Sequence, residues 1–334
     1  MSLKNQTILI TGTDEFIGWR AAELAVSQGM RVRGLQSSQP QDQKAKNLGV
    51  DIFVGQITDA KIAQTACQGV DIVLHTAQLA EESGDIKQFR EINVNGTLNL
   101  AKSAKSAQVK TFVHLSSVLV YGFNYTNNVT ESELPQSETN PYCQTKQEAE
   151  TEVMKLNSPP DFGVVVIRAG DVYGPASIPW IVRPVQMMRQ NLFAYANDGT
   201  GIMNHVYVDN LVDAIFLAIE QKAYGEIFNI TDGQATTWKE YFTQVAKIAE
   251  LPAPKSLPKE EMKLFLRMRL QGQKLFRKKP DIFPESVDFM SRPYAYSIAH
   301  AIHKLNYQPK VNLAEGMRLT QEWLQKTDIQ TLLK

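Results

Sequence analysis

The sequence predicts an α/β fold, a doubly wound parallel sheet with a smaller, discontinuous C-terminal lobe, on three observations. Short apolar stretches of strand length alternate with helical ones from the amino terminus onward, and such alternation implies a parallel sheet with helices on both faces. The first stretch, Thr7-Ile-Leu-Ile-Thr11, runs through Gly12-Thr-Asp-Glu-Phe-Ile-Gly18 into a helical segment from Trp19 to Gln28. A second strand, within Met30-Arg-Val-Arg-Gly-Leu35, follows Gly29 and closes a first β-α-β crossover. A turn of this kind lets backbone N–H groups approach a pyrophosphate while the helix amino terminus favours its negative charge, so the spacing supports dinucleotide binding.

Taken in order, strands are expected at Thr7 to Thr11, Arg31 to Leu35, Asp51 to Gly55, Ile72 to Thr76, Thr111 to Leu115 and Val164 to Arg168. Segments this short and apolar suit burial on both faces, as a parallel sheet requires. Asn157-Ser-Pro-Pro-Asp-Phe162 reads as the turn before the sixth. After Gly174-Pro175 the chain leaves the sheet, and His205-Val-Tyr-Val-Asp209 returns it to a helix from Asn210 to Glu220 with Asp209 as N-cap. Phe228 to Ile230 adds a further strand. The expected division is residues 1–170 as dinucleotide-binding domain, rejoined at about 202–233, with 171–201 and 234–334 as substrate lobe.

At 334 residues, 43% hydrophobic and 21% charged, the chain can hold the large core of an ordinary globular protein. Its 35 basic and 35 acidic residues cancel, so no global field draws nucleic acid or an anionic membrane. The 2 cysteines, Cys67 and Cys143, supply neither a disulfide framework nor a metal-ligand cluster, which leads us to expect no metal and a reducing, cytoplasmic setting. Met1-Ser-Leu-Lys-Asn5 leads into a strand rather than an apolar signal segment, and no run approaches the roughly 20 apolar residues of a membrane span. Lys255 to Lys279 mixes Met262, Phe265, Leu266 and Leu270 with Lys263, Arg267, Arg269, Lys274, Arg277, Lys278 and Lys279. A solvated face over the lobe's own core is expected there, with a lipid or substrate contact as the alternative.

The chemistry-bearing pattern is Pro141-Tyr-Cys-Gln-Thr-Lys146, with Ser116-Ser117 at a strand end upstream. On a helix, Tyr142 and Lys146 share a face one turn apart. A neighbouring ammonium favours phenolate, so Tyr142 is expected to titrate below its ordinary value of about 10 and to move a proton, with Ser117 bonding the same substrate oxygen. His75, His114 and His205 lack metal-ligand spacing and read as hydrogen-bonded core histidines. Tyr121, Tyr173 and Trp180 read as packing or pocket walls, and Arg183 and Arg292 as salt-bridge partners or anchors for an anionic substrate.

Seven ordered stretches resemble the extended short-chain dehydrogenase/reductase family, which includes NAD-dependent epimerases and dehydratases. They are Thr11-Gly12 with Phe16-Ile-Gly18, Asp71-Ile-Val-Leu-His-Thr-Ala77, Asn93-Val-Asn-Gly-Thr97, Phe112-Val-His-Leu-Ser-Ser117, Val120-Tyr-Gly122, Tyr142 with Lys146, and Val172-Tyr-Gly-Pro175. The resemblance implies a Rossmann fold, catalytic roles for Ser117, Tyr142 and Lys146, a structural role for Asn93, and Arg168 as the arginine ending the strand before the nicotinamide-side loop. It implies cofactor contacts from Gly12, Asp14, Glu15, Phe16, Ile17 and Gly18 in the first turn, and from Gln36 and Ser37 after the second strand. Further contacts are implied at Gln56, Ile57, Thr76, Ala77, Gln78 and Asn93, at Tyr142 and Lys146, and at Ala169 and Val172. A homodimer through two helices of the dinucleotide domain, one of them Tyr142 to Lys155, is a further implication.

Several positions depart from the family pattern. Glu15 replaces the middle glycine of Gly-x-x-Gly-x-x-Gly, and two unit charges about 4 Å apart repel by roughly 1 kcal/mol in water and about 4 at an effective dielectric of 20. Its side chain is expected to turn outward with Asp14. Gln56 replaces an aspartate, Gln78 stands where a small residue is usual, and Leu35-Gln-Ser-Ser38 carries neither an acid for a ribose hydroxyl nor an arginine for a 2′-phosphate. NAD and NADP are therefore not separated. Phe228 to Gln234, Thr237 to Phe242 and the closing segment from Arg292 to Ile298 resemble the 3β-hydroxysteroid dehydrogenase-like branch, whereas sugar-nucleotide epimerases more often carry Arg-x-Gly-Asp where this chain has Arg292-Pro-Tyr-Ala295. The expected activity is interconversion of a secondary alcohol and a ketone on a hydrophobic small molecule. A nucleotide-sugar epimerase or dehydratase, and a non-catalytic binding protein with a decayed cofactor site, are the alternatives.

Overall fold

The computed structural model describes residues 3–39, 43–81, 84–122, 125, 128–133, 135, 140–275 and 286–333. Its strands are β1 (Thr7–Thr11), β2 (Arg31–Gln36), β3 (Asp51–Val54), β4 (Ile72–His75), β5 (Thr111–Ser117), β6 (Gly163–Ala169), β7 (Asp171–Tyr173), β8 (Ala194–Ala196), β9 (Ile202–Met203), β10 (His205–Tyr207), β11 (Ile227–Ile230), β12 (Thr236–Thr237) and β13 (Lys255–Leu257). A 7-stranded sheet runs in the order β11-β6-β5-β4-β1-β2-β3, and every neighbouring pair is parallel. The strand order reverses between β1 and β4, and open α/β sheets take ligands at such a switch point, outside the carboxyl ends of their strands.

Alternate residues of each strand serve opposite layers. Ile8, Ile10, Leu74, Val113, Leu115 and Val165 join Ala21 and Ala25 of the helix Phe16–Ser27 and Leu211 and Ile215 of the helix Val208–Glu220. Leu9, Val73, Phe112 and Val164 face Ala63 and Ala66 of the helix Ala60–Cys67 and Leu100 and Ala104 of the helix Thr97–Ser106. The apolar runs of the sequence are thus buried on both sides, as their composition requires.

The first helix begins at Phe16 rather than Trp19, because Glu15, extended at φ −110° and ψ 162°, already hands the chain to it. The helix expected from Asn210 begins at Val208 with Tyr207 as its N-cap residue, so Asp209 is not the cap. Asp209 instead takes the Arg20 guanidinium at 2.6 and 2.7 Å, tying that helix to the first. A salt bridge to a residue 189 positions away outcompetes the local cap.

The remaining strands form three two-stranded pairs, β10-β7, β12-β9 and β13-β8. Asp171 on β7 holds Arg292 at 3.0 Å, a buried pair joining segments 121 residues apart. Asn210 binds both the Val311 carbonyl and the Lys310 amide, at 2.8 and 2.9 Å, so the C-terminal stretch packs back onto the Val208–Glu220 helix. In the helix Lys259–Leu275, Met262 and Leu266 are buried, while Leu264, Phe265 and Met268 are exposed. Arg277, Lys278 and Lys279 lie outside the described residues. Among the described residues no helix is long and apolar enough to cross a membrane.

Candidate active site

The helix Pro141–Met154 carries Tyr142 and Lys146. Asn140 caps it, its side-chain oxygen accepting from the amides of Tyr142 at 2.8 Å and Cys143 at 3.2 Å, and Pro141 presets the first helical φ. That cap fixes the start of the helix and hence the direction of the tyrosine. Cys143 faces the interior and is buried. Lys146 is buried too, and its Nζ donates to the Leu115 carbonyl at 2.5 Å. Ser117 ends β5, and its Oγ accepts from the Leu119 amide at 3.2 Å.

These three residues converge. The Tyr142 hydroxyl donates to Gln78 Oε1 at 3.1 Å and also shares a hydrogen bond with Ser117. Burial raises the Tyr142 pKa above its ordinary value, against the lowering effect of the Ser117 and Gln78 bonds. The expected acidification by Lys146 is therefore corrected: loss of water around the phenol dominates, the hydrogen bonds rather than Lys146 oppose it, and the ammonium is held by a backbone carbonyl. Burial likewise lowers Lys146 to about 8, opposed by the carboxylates of Glu150 and Glu15.

Gln78, implied from sequence as a cofactor contact where a small residue is usual, is a direct partner of the tyrosine. Asn93 sets its position: Oδ1 accepts from the Leu79 amide at 2.7 Å, while Nδ2 donates to the Leu79 carbonyl and to Thr145 Oγ1, each at 3.1 Å. One asparagine thus clamps the Gln78 loop to the tyrosine helix, in keeping with the structural role implied for it.

The predicted cofactor residues gather along the carboxyl ends of the strands. Thr11 Oγ1 accepts from the amides of Thr76 at 3.1 Å and Ala77 at 3.0 Å, joining the ends of β1 and β4. Gly12 has φ +70°, and a Cβ on Gly18 would stand 2.2 Å from the Gly12 carbonyl oxygen. Only glycines permit this tight turn. With helical N–H groups at Ile17 and Gly18 left unpaired by any capping side chain, the turn fits a pyrophosphate. Gln36 is buried, accepting from Thr13 Oγ1 at 3.0 Å and donating to the Ser38 carbonyl at 2.7 Å. Asp14 is exposed beside Ser37 and Ser38, at 3.5 and 3.2 Å. Gln56 is exposed in the turn after β3, next to buried Ile57. Ala169 ends β6 and Val172 lies in β7.

Glu15, expected to turn outward with Asp14, is exposed beside it, and its charge is felt by Lys146 and Tyr142. Loss of water around the carboxyl group and neighbouring Asp14 raise its pKa above the ordinary carboxylate value, against the pull of Lys146.

Other predicted residues serve the frame. Arg168 pairs with Glu150 at 2.7 Å and donates to the Tyr121 hydroxyl at 2.6 Å, all buried. His205 lies between Asp232 and Thr236, at 2.9 and 2.8 Å, and His75 between Thr11 and Thr97, each at 2.8 Å. His114 differs from expectation, since neither ring nitrogen has a hydrogen-bond partner. Arg292 is 1% exposed, bound to Asp171 and stacked on Phe289 at 3.9 Å. Beyond Ser117, Val118 and Val120 pack with Tyr121, Val129, Tyr294 and Tyr296 in an apolar, aromatic cluster. The sequence reading missed this cluster; the alternation Tyr294-x-Tyr296 was its available signal.

Comparison with known proteins agrees with this geometry. The family model described as the NAD dependent epimerase/dehydratase family matches residues 8–231. A 2-alkyl-3-oxoalkanoate reductase of Stenotrophomonas maltophilia (strain K279a) is 26% identical over 93% of this chain and 97% of its own length. A dTDP-D-glucose 4,6-dehydratase of Mus musculus is 30% identical over 77% of this chain and 68% of its own. The crystal structure of a UDP-glucose 4-epimerase from Thermotoga maritima, with UDP-glucose, superposes with TM-score 0.77 at 23% identity over 96% of this chain and 99% of that one. The glycine turn, the switch-point crevice and the Tyr142–Lys146 helix all fall inside the matched span, and the chain belongs to the NAD dependent epimerase/dehydratase family.

Proposed function

We propose that this protein is an NAD(P)-dependent oxidoreductase that interconverts a ketone and a secondary alcohol on a hydrophobic small molecule. The observation that carries the substrate class is the fate of Arg292. Its guanidinium is buried against Asp171 and Phe289, so it does not serve as an anchor for a nucleotide diphosphate, and the apolar cluster of Val118, Tyr294 and Tyr296 that encloses this region is itself buried. The similarity to an alkyl-oxoalkanoate reductase over nearly the whole chain supports the same class.

Gly12 to Gly18 would hold the pyrophosphate, with Thr76, Ala77 and Lys146 beside the nicotinamide ribose; when bound, the nicotinamide supplies or accepts a hydride. Tyr142 carries the proton. Its raised pKa keeps the phenol protonated through the neutral range, which suits donation to a ketone oxygen as that oxygen gains charge. The single O–H now directed at Gln78 must turn to the substrate for that transfer, and Ser117, bonded to the same hydroxyl, orients the substrate oxygen.

Tyr142→Phe removes the proton donor and leaves the nucleotide contacts in place. NADH or NADPH consumption with alkyl-substituted 3-oxo acids should fall by about 10²-fold or more, while calorimetric affinity for the dinucleotide stays within about twofold of the parent. Turnover unchanged in that variant would defeat the assignment. A second reading, internal oxidation and re-reduction of a nucleotide sugar, is favoured by the 30% identity to a sugar-nucleotide dehydratase. Tightly bound NAD in the purified protein, with no net consumption of added cofactor, would select it.

A further inference from the structure

The hydroxyl that must give up its proton is held by an amide side chain. Tyr142 Oη donates to Gln78 Oε1 at 3.1 Å, and among the described residues Gln78 Nε2 has no hydrogen-bond partner. The backbone on either side of Gln78 is pinned. The Ala77 amide donates to Thr11 Oγ1 at 3.0 Å, and the Leu79 amide and carbonyl both bond Asn93, at 2.7 and 3.1 Å. Asn93 also donates to Thr145 on the tyrosine helix at 3.1 Å, which ties the loop to the element carrying the hydroxyl. Other groups near the phenol do not take its charge. Lys146 Nζ donates to the Leu115 carbonyl, Ser117 is needed at the substrate oxygen, and Cys143 beside Tyr142 and Glu15 in the first turn both oppose its ionisation.

Resting on the oxidoreductase reading given above, we propose that Gln78 is a positioning residue for the proton transfer: half a turn of its amide brings Nε2 to the place of Oε1, where it donates to Tyr142 Oη. The two ends of an amide are nearly equal in size, so this turn needs no backbone movement. An accepting Oε1 holds the phenol O–H away from the substrate. A donating Nε2 frees that O–H for the ketone oxygen, and the bond strengthens as negative charge develops on the phenol. In reduction the ketone carbon gains the hydride of the reduced dinucleotide, the Tyr142 O–H breaks and the alcohol O–H forms. The phenolate left on Tyr142 stays bonded to Nε2 until a proton returns from solvent.

Reduction of a 2-alkyl-3-oxo acid by the full chain, read as kcat at saturating NADH or NADPH from pH 5.5 to 8, tests this role. The half-buried Gln78 side chain bonds only Tyr142 among the described residues, so variants there should keep the fold, checked by circular dichroism. Gln78→Met keeps the length and has no donor. Its kcat should fall about tenfold or more at every pH, the usual effect of losing a hydrogen bond to a charged group. Gln78→Glu keeps an acceptor but, while ionised, has no donor and repels the phenolate. Its kcat should lie about 10²-fold below wild type at pH 8 and climb toward wild type as pH falls to 5.5, where the new carboxyl group takes up a proton and donates. A spacer role would lower both variants without that pH dependence. Wild-type kcat in Gln78→Met, a constant ratio of Gln78→Glu to wild type across the pH range, or losses confined to the KM for dinucleotide would each overturn the proposal and leave the oxidoreductase reading intact. A folded wild type that consumes neither NADH nor NADPH with these acids would overturn that reading, and this role with it.

Discussion

His114 shows how a single residue can be costly without being functional. It is buried on β5 with both ring nitrogens unpaired, and burial together with the nearby Lys146 and His75 holds it well below its ordinary pKa. His75 is lowered by the same burial, to about 3. Both rings are therefore neutral in the folded chain at pH values where the unfolded chain binds protons. Their contribution is fully present above about pH 6.5 and is lost as pH falls from there toward 3. His114→Leu removes unpaired polar atoms and fills similar space, so urea unfolding at pH 7 should show stability unchanged or higher by about 1 kcal/mol. The same variant should flatten the loss of stability between pH 6.5 and 5. At this scale the sequence pointed to side chains that the fold brings together, Tyr142, Lys146 and Ser117, but not to their protonation state. Tyr142 and Lys146 each titrate according to burial and to groups on other elements, and neither quantity is present in local spacing.

The helix Pro141–Met154 is legible from its first three residues, since Asn140-Pro141 is a cap followed by a preset φ and Tyr142 comes next. Asn140→Ala leaves two amides without their acceptor and should cost about 1 kcal/mol. It should also lower turnover more than dinucleotide affinity, because the frayed residue is Tyr142 itself; equal losses in both would place the effect on the whole helix instead. The strands of the 7-stranded sheet were readable for a similar reason, as apolar runs needing burial on two faces, and each lies close to its expected place, whereas the short paired strands β7 to β10, β12 and β13 were not foreseen. The Val208–Glu220 helix was placed two residues late because Asp209 has the composition of a cap. Its actual partner, Arg20, lies in another element, and a pairing of that range leaves no mark on the flanking residues.

At the scale of the whole molecule, buried polar ties join the sheet to the segments that follow it. Arg292→Leu would leave the Asp171 carboxylate buried without its cation, and stripping one partner from such a pair costs about 3–5 kcal/mol. Thermal unfolding should detect that loss, and adding Asp171→Asn should recover a substantial part of it; no recovery would mean that Arg292 matters through its stacking on Phe289. The order of the sheet has a consequence for synthesis. A ribosome delivers Asp171 and the strand it belongs to 121 residues before the arginine that neutralises it, and Asn210 emerges about 100 residues before its Lys310 and Val311 partners. The nascent polypeptide can thus assemble β1 to β6 early, but it must keep this acid hydrated until Arg292 has emerged, so the polar ties close well after the sheet has formed.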